Sequence, residues 1–378
     1  MRMRQISSKT PVSRFARAAR GYALVAAGAL AVAACGTPPP VRSIACNAAV
    51  PPQITLSPDG TTATMQIRVL TYNIEGLGWP ARTDRAADLH KIGENLDRLR
   101  ESGQGPDVVM FQEMFSGPAK QAVSASGYPA VITGPRRTSP SVVGTTERMP
   151  GHAHLKRGEL GIHLTGGGLA IVSRYAIVQT QESAYGRRSC AGMDCLANKG
   201  IVMARIAIPG VPTPVDFYDT HMNSRAASRA TVNRSVVAHE RQSLEASKFI
   251  DKTHDDDFPV IFGGDFNMRH SEIRWANFTR YQSLTLVHRV CADPANGCDV
   301  RMTWKGDKPW MNTQDLQLFW HGSAVSVRPI RVEAVFDGGP SGPVMSDHNG
   351  FMVTYELSWP AALTTHGCGA PPPQVTQR

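Results

Sequence analysis

The sequence predicts an α+β fold in which two β-sheets pack against each other with helices outside. Two observations predict it. Apolar runs of strand length follow the order strand, helix, strand, several strands, helix, then mostly strands. A parallel doubly wound sheet would instead need strand and helix to alternate throughout. Five segments also finish in hydrophilic residues of the kinds hydrolysis uses: Asn73 with Glu75, Gln112 with Glu113, His221 with Asn223, Asp265 with Asn267, and Asp347 with His348.

The segments are organised around Val260-Ile-Phe-Gly-Gly-Asp-Phe-Asn-Met-Arg-His270, an apolar run that delivers polar side chains at its carboxyl end. Residues two apart on an extended chain share a face, so Asp265 and Asn267 can point at one place while Phe266 turns into packing. Gly263 and Gly264 permit the close approach of a ligand or another backbone. Alone, Asp-x-Asn is more often a turn capping the next helix. The company of the other four ends changes that reading.

In chain order, Gln66 to Ile74 alternates into a strand that ends at Asn73. Thr83 can cap a helix from Asp84, with Leu89, Ile92, Leu96 and Leu99 at spacings of three and four and Gly103 as its stop. Asp107 to Glu113 is the next buried strand, and Tyr128 to Thr165 is a long loop rich in Gly, Pro, Arg and His. Strands at Gly167 to Ser173 and Gly200 to Ile208 flank a cysteine loop, and Val215 to Met222 is another strand. Arg229 to Asp251 reads as a helix with Val232, Val236, Leu244 and Phe249 on or near one side. Later strands fall at Met302 to Trp304, Leu316 to Trp320, Val327 to Phe336 and Phe351 to Leu357.

Ahead of these elements, six Lys or Arg and no acid precede Cys35, and Tyr22 to Cys35 is a short apolar stretch of small residues. That is the pattern of an export signal, too short and too weakly hydrophobic for a membrane span. Val32-Ala33-Ala34-Cys35 resembles the lipobox of bacterial lipoproteins, which implies a lipidated Cys35 and anchorage to a cell-envelope membrane; an ordinary signal peptide is the alternative. Removing the six basic residues lowers the formal charge from +9 to about +3. A global basic field is therefore no argument for nucleic acid. Of the 7 cysteines, the six other than Cys35 are expected to pair in an oxidising compartment. Cys190–Cys195 and Cys291–Cys298 are close in sequence and Cys46–Cys368 would join the mature ends, one choice among about fifteen connectivities.

The motifs Thr71-Tyr-Asn-Ile-Glu75, Phe111-Gln-Glu113, Thr220-His221, Gly263-Gly-Asp-Phe-Asn267, Asp315-Leu-Gln-Leu-Phe319 and Ser346-Asp-His348 together resemble the endonuclease/exonuclease/phosphatase superfamily of metal-dependent phosphoesterases. The resemblance implies a four-layer α/β/β/α sandwich of two mainly antiparallel sheets with the site at one rim. It also implies a division into a signal peptide at 1–34, a lipidated cysteine and tether at 35–62, a catalytic domain at 63–360 and a Pro-rich tail at 361–378. Gly167-Gly-Leu-Ala-Ile-Val-Ser-Arg174 and Cys195-Leu-Ala-Asn-Lys-Gly-Ile-Val202 are similar to segments of secreted bacterial sphingomyelinases. Two positions depart from them: Gly117 stands where those enzymes carry an Asn, and Asp337 to Pro343 lacks the aromatic tip of their membrane hairpin.

A phosphodiester is anionic and slow to hydrolyse, so a site must neutralise charge, place a water in line and stabilise the leaving oxygen. Glu113 is the hard oxygen ligand expected for Mg²⁺, or for Mn²⁺ or another divalent ion, with Asn73 beside it, Asp347 through water and Glu75 in support. Asp265 is expected to take the proton of the attacking water and Asn267 to hold that water or a phosphate oxygen. His348 should contact the phosphate with Asp315 orienting its ring, and His221 should serve the leaving group. Asn223 and Lys199 are candidates for substrate contacts.

These expectations describe a metal-dependent phosphodiester hydrolase of the sphingomyelinase or phospholipase C type, acting on a phospholipid head group at a membrane and needing no obligate protein partner. An extracytoplasmic nuclease is the alternative, with arginines at 136, 137, 157, 187 and 188 available to a phosphate backbone. A non-catalytic lipoprotein scaffold is the reading from another class.

Overall fold

The computed structural model describes residues 38–46, 49–78, 81–145, 147–365 and 367. The export signal, Cys35 and Cys368 lie outside these residues. Among the described residues, in chain order, the elements begin with β1 (Thr55–Leu56), β2 (Thr62–Asn73), α1 (Ala86–Glu101), β3 (Val108–Gln112), α2 (Gly117–Ala125), β4 (Ala130–Thr133) and β5 (Ala170–Ser173). They continue with β6 (Ala176–Ala184), β7 (Gly200–Ala207), β8 (Val215–His221), α3 (Val232–Thr253), β9 (Val260–Asp265), α4 (Glu272–Tyr281) and β10 (Thr285–Leu286). The last are α5 (Val287–Ala292), β11 (Asp299–Arg301), β12 (Asp315–Trp320), β13 (Ser326–Val335) and β14 (Gly350–Pro360).

One sheet has the order β11-β13-β14-β2-β3-β5-β4, with β1 also on β2; the other has the order β10-β12-β9-β8-β7-β6. Pairing is antiparallel except at β2/β3, β8/β9 and β11/β13. Parallel neighbours need a crossover. Here α1 joins β2 to β3 and α3 joins β8 to β9, so each sheet carries one helix-linked parallel pair near its middle.

Alternation along the strands explains the layering. Ile67, Val69, Met110, Phe217, Ile261, Phe319 and Val353 fill the space between the sheets. Their neighbours Leu70, Tyr72, Val109 and Phe111 turn outward onto Leu89, Ile92 and Leu96 of α1 and Ala119, Ala122 and Val123 of α2. On the other side, Met203, Tyr218 and Phe262 meet Ala246 and Phe249 of α3 and Trp275 and Phe278 of α4. Helix, sheet, sheet and helix thus make the expected mixed α/β sandwich.

Several local expectations change. The first helix begins at Ala86 with Arg85 at its N-cap and no side-chain cap, not at Asp84 under Thr83. Val232 is exposed at the start of α3, whose buried face runs through Ala238, Gln242, Ala246 and Phe249. No strand covers Met302 to Trp304; the short β11 lies just before it and pairs with β13. Helix α2, opened by Ser116 accepting from the Ala119 amide, and strand β4, inside the stretch read as loop, are additional. The Cys190–Cys195 and Cys291–Cys298 disulfides are present.

The two glycines of β9 serve packing. A Cβ on Gly263 would collide with Met110 and Thr71 of the opposite sheet, and one on Gly264 with the Thr220 carbonyl of β8. Gly264 also sits at φ +149°, a conformation side-chain-bearing residues avoid. Gly264→Ala is therefore expected to destabilise the chain by about 2 kcal/mol or more in chemical denaturation; a loss below about 0.5 kcal/mol would show that the strands are free to move apart.

Candidate functional site

The inward-facing positions of the strands change from apolar to polar toward one end of the sandwich. In β2 the series Ile67, Val69, Thr71 ends at Asn73; in β8, Val215 and Phe217 give way to Asp219 and His221; in β9, Ile261 and Gly263 precede Asp265. Because β2/β3 and β8/β9 are parallel, all four carboxyl ends arrive together. His221 lies level with Asp265 in the parallel pair, and Asp315, which opens β12, lies level with Asp265 in the antiparallel one.

At the centre, the Asn73 amide Nδ2 donates to Glu113 Oε1 at 3.2 Å and to Asp265 Oδ2 at 3.0 Å, joining side chains from both sheets. Its oxygen accepts from the Glu75 backbone at 3.0 Å. His221 Nε2 is 3.5 Å and His348 Nε2 3.9 Å from the same Asp265 oxygen. Asp315 Oδ2 accepts from His348 Nδ1 at 2.7 Å, so the ring is braced from behind. Glu113, Asn73, His221, Asp265, Asp315 and His348 are thus one cluster.

Burial sets its electrostatics. Desolvation pushes the Glu113 carboxyl up to about 7, against the pull of Lys199 and Asn73. Asp219, fully buried beneath, is raised well above the carboxylate range by the same cause, although Gln112 donates to it at 2.6 Å. Burial opposes the His348 imidazolium, but Asp315, with Asp265 and Asp347, outweighs it and raises the ring to about 11. Burial and then Lys199 hold His221 well below its ordinary value.

That last finding corrects the expectation for His221 as a proton donor. Lys199 Nζ stands 2.9 Å from His221 Nε2 and takes its lone pair, while Nδ1 is buried without a partner among the described residues. Lys199 in turn meets Asp194 Oδ2 at 3.2 Å and donates to the Met222 carbonyl at 3.1 Å. Asp194 lies inside the Cys190–Cys195 loop, so the disulfide fixes the carboxylate that holds the lysine.

Other predicted residues stand apart from the centre. Asn223 is wholly buried, its oxygen accepting from the Ala191 backbone and its Nδ2 donating to the Ser224 carbonyl. Asn267 is off the strand at φ +54°, its amide donating to the Met222 carbonyl at 3.1 Å, so it shapes the turn and does not share the Asp265 face. Glu75 is held by Arg82 at 2.6 Å and Arg85 at 3.5 Å. Asp347 is half exposed at the rim, 3.8 Å from Arg82 and 4.0 Å from His348, away from Glu113. Among the described residues no three His, Cys, Asp or Glu form a ready metal cluster.

Sequence reading missed the residues that hold these turns. The buried Arg274 guanidinium donates to the carbonyls of Asn223, Ser224, Ser235 and Asn267, linking the turns after β8 and β9. Arg85 donates to the carbonyls of Ile74 and Met345, tying the end of β2 to the segment before His348. Gln314, next to Asp315, reaches His348 Nε2 at 3.2 Å. Only Asp219 left a sequence signal, a carboxylate on the inward parity of an apolar strand. Beside His348 and Asp315 opens a cavity of about 290 Å³, lined further by Gln314, His288 and Trp304.

A double-sheet sandwich with a buried acid, amide and imidazole cluster at the carboxyl ends of its central strands defines a phosphoesterase-type architecture. Residues 70–348 match the Endonuclease/Exonuclease/phosphatase family, and the chain belongs to it. No curated protein matches it in sequence. Among solved structures, sphingomyelinase C from Streptomyces griseocarneus is 19% identical, with 76% of this chain and 99% of that chain covered and a TM-score of 0.52. A mutant beta toxin from Staphylococcus aureus with bound magnesium ions is 18% identical over 76% and 99% of the two chains, with a TM-score of 0.51. Humanized TDP2 of D. rerio is 16% identical over 77% and 98%, at 0.50. At such identities the likeness is one of fold.

His239 of α3 offers a pH test of the scaffold. Its Nε2 donates to the Phe266 carbonyl at 2.8 Å, and burial lowers its pKa to about 3. The unfolded chain takes up this proton near pH 6.5 and the native chain does not, so the stability His239 contributes is full above that pH and lost on acidification. The stability gap between the wild type and His239→Asn should narrow by about 1 kcal/mol from pH 6 to pH 5 in denaturant titrations; a constant gap would show that the imidazole is not held neutral.

Proposed function

We propose that the chain is a divalent-metal-dependent phosphodiester hydrolase of the sphingomyelinase or phospholipase C type, acting at the cell envelope. The observation that carries this reading is the Asn73 amide, which donates at once to Glu113 of one sheet and Asp265 of the other beside the braced His348. Family membership supports the hydrolytic class. The likeness in fold to sphingomyelinase C and to a magnesium-bound beta toxin supports the substrate and the metal. The lipobox at Cys35 supports the location. Among the described residues no helix is long and apolar enough to cross a membrane.

The donor set fits a magnesium-like ion. Glu113 is a desolvated carboxylate with one side-chain hydrogen bond, from Asn73, among the described residues. Glu113 would hold the ion, with water as the remaining ligands, while Asn73, expected as a second ligand, turns its Nδ2 and not its oxygen toward Glu113 and so keeps the carboxylate in place; Mg²⁺ usually keeps several waters and takes one or two carboxylates. When bound, it supplies charge neutralisation at a phosphate oxygen.

The chain's own residues do the rest. Asp265 accepts the proton of the attacking water, its Oδ1 fixed by the Asn267 amide at 3.0 Å. His348, oriented through Nδ1 by Asp315, presents Nε2 and its positive charge to the phosphate. Lys199, backed by Asp194 and seated on His221, places a second positive charge where the leaving oxygen develops. His221 is then the seat of the lysine and not itself the acid.

Purified protein would be assayed with Mg²⁺ or EDTA on sphingomyelin, phosphatidylcholine, plasmid DNA and an aryl phosphodiester. Lipid and aryl hydrolysis abolished by EDTA is the expected result. Turnover of DNA alone would replace the lipid reading with the nuclease one, and no turnover with any divalent ion would leave a scaffold. Asp265→Asn and His348→Ala should each lower kcat at least about a hundredfold without loss of fold by circular dichroism. Asp315→Asn, which leaves the imidazole in place but unbraced, should cost about tenfold or more; rates near wild type in all three would move the chemistry to other residues.

A further inference from the structure

We infer that the cavity lined by Arg137, Arg187, His163 and Ser141 is a subsite for a second phosphate or sulfate group carried by the substrate. It has a volume of about 340 Å³, and no carboxylate lines it. Neither the Arg137 nor the Arg187 guanidinium is held by a hydrogen bond or ion pair among the described residues. Both line the cavity with His163, whose pKa burial lowers and Arg187 and Arg137 lower further. The Ser141 hydroxyl is buried with no partner among the described residues. Two uncommitted guanidiniums and an imidazole lining one space are the donor set of an oxyanion site.

The walls are fixed in advance. The buried Asn198 amide donates to the carbonyls of Arg136 and Ser139 at 2.7 and 3.0 Å, and His163 Nδ1 meets the Cys195 carbonyl at 3.0 Å. The Glu182 carboxylate accepts from the Ser139 hydroxyl at 2.7 Å.

The cavity also adjoins the reaction centre. Asn198 holds the cavity wall while the next residue, Lys199, reaches His221, so one backbone segment serves both spaces. An anionic group here would sit next to the scissile phosphate on the Lys199 side. The source of the ligand rests on the phosphodiesterase reading; its binding does not.

Two measurements decide the matter. Inorganic phosphate would be titrated into the full chain without divalent metal, with binding read by calorimetry and by the His163 imidazole resonance. A saturable shift of His163 with a rise in its pKa is expected in the wild type and in Asp265→Asn, and its loss in Arg137→Ala/Arg187→Ala. An unmoved His163, or the same binding in the double variant, would overturn the subsite. The second compares thymidine 5′-(p-nitrophenyl phosphate) with its 3′-phosphorylated form, both of which lose p-nitrophenol to water. The 3′-phosphate should lower KM about tenfold or more in the wild type, and that ratio should collapse toward one in the double variant; an unchanged ratio would overturn the proposal. If neither ester is hydrolysed, the lipid and aryl assays above still decide the phosphodiesterase reading, and phosphate binding decides the subsite.

Discussion

The site depends on one shared hydrogen-bond donor. Glu113 and Asp265 belong to different sheets, and two carboxylates converging in a buried space repel. The two hydrogens of the Asn73 amide lie between them, one for each. That arrangement requires the sheets to hold their separation to within a hydrogen-bond length. The apolar layer between them does so, with Ile67, Val69, Met110 and Ile261 packed one or two positions behind the polar ends. Core packing and site geometry are therefore the same constraint read at two places along each strand.

The same layer explains where negative charge is tolerated. Asp219 sits below Asp265, and a third anion there would compound the repulsion. Burial and the Asp265 charge both raise its pKa, which favours the neutral acid. Toward the opening, charge is answered by cations instead: Lys199 near Glu113, the His348 ring on Asp315, and Arg82 and Arg85 on Glu75. The interior thus passes from apolar, through neutral polar, to compensated charge along a single axis.

That gradient is what made the centre legible in sequence. An apolar strand whose inward parity ends in Asn73, His221 or Asp265 announces a polar pocket, and Asp315 and His348 followed from the motif order. Asn223 and Asn267 misled because they lie past the strand ends, where alternation no longer says which way a side chain points. The helix start at Ala86 was missed because Thr83 has the chemistry of a cap without the position. Arg274, Arg85 and Asp194 act through backbone carbonyls or charges far along the chain, and nothing local in sequence marks such partners. The polar face of α3 belongs to the same class: Gln242 and Glu245 hold Asn223 and Ser189 and so position the disulfide loop.

The disulfide loop also settles how the two sides of the centre differ. His348 opens onto a cavity where His288 stacks between Trp304 and Phe351, at ring distances of 5.6 and 4.5 Å. Asn198, the residue before Lys199, lines a space edged by arginines and hydroxyls. A phosphodiester has two substituents, and a site whose flanks are aromatic on one side and cationic on the other imposes a direction on the substrate. Direction matters for chemistry, since in-line attack by a water held on the Asp265 side would expel whichever oxygen lies opposite. The asymmetry is built by Asn198 and Lys199 on adjacent positions of one segment. In the proposed hydrolase, discrimination between substrates would then belong to that segment and its cysteine loop, and bond cleavage to the strand ends.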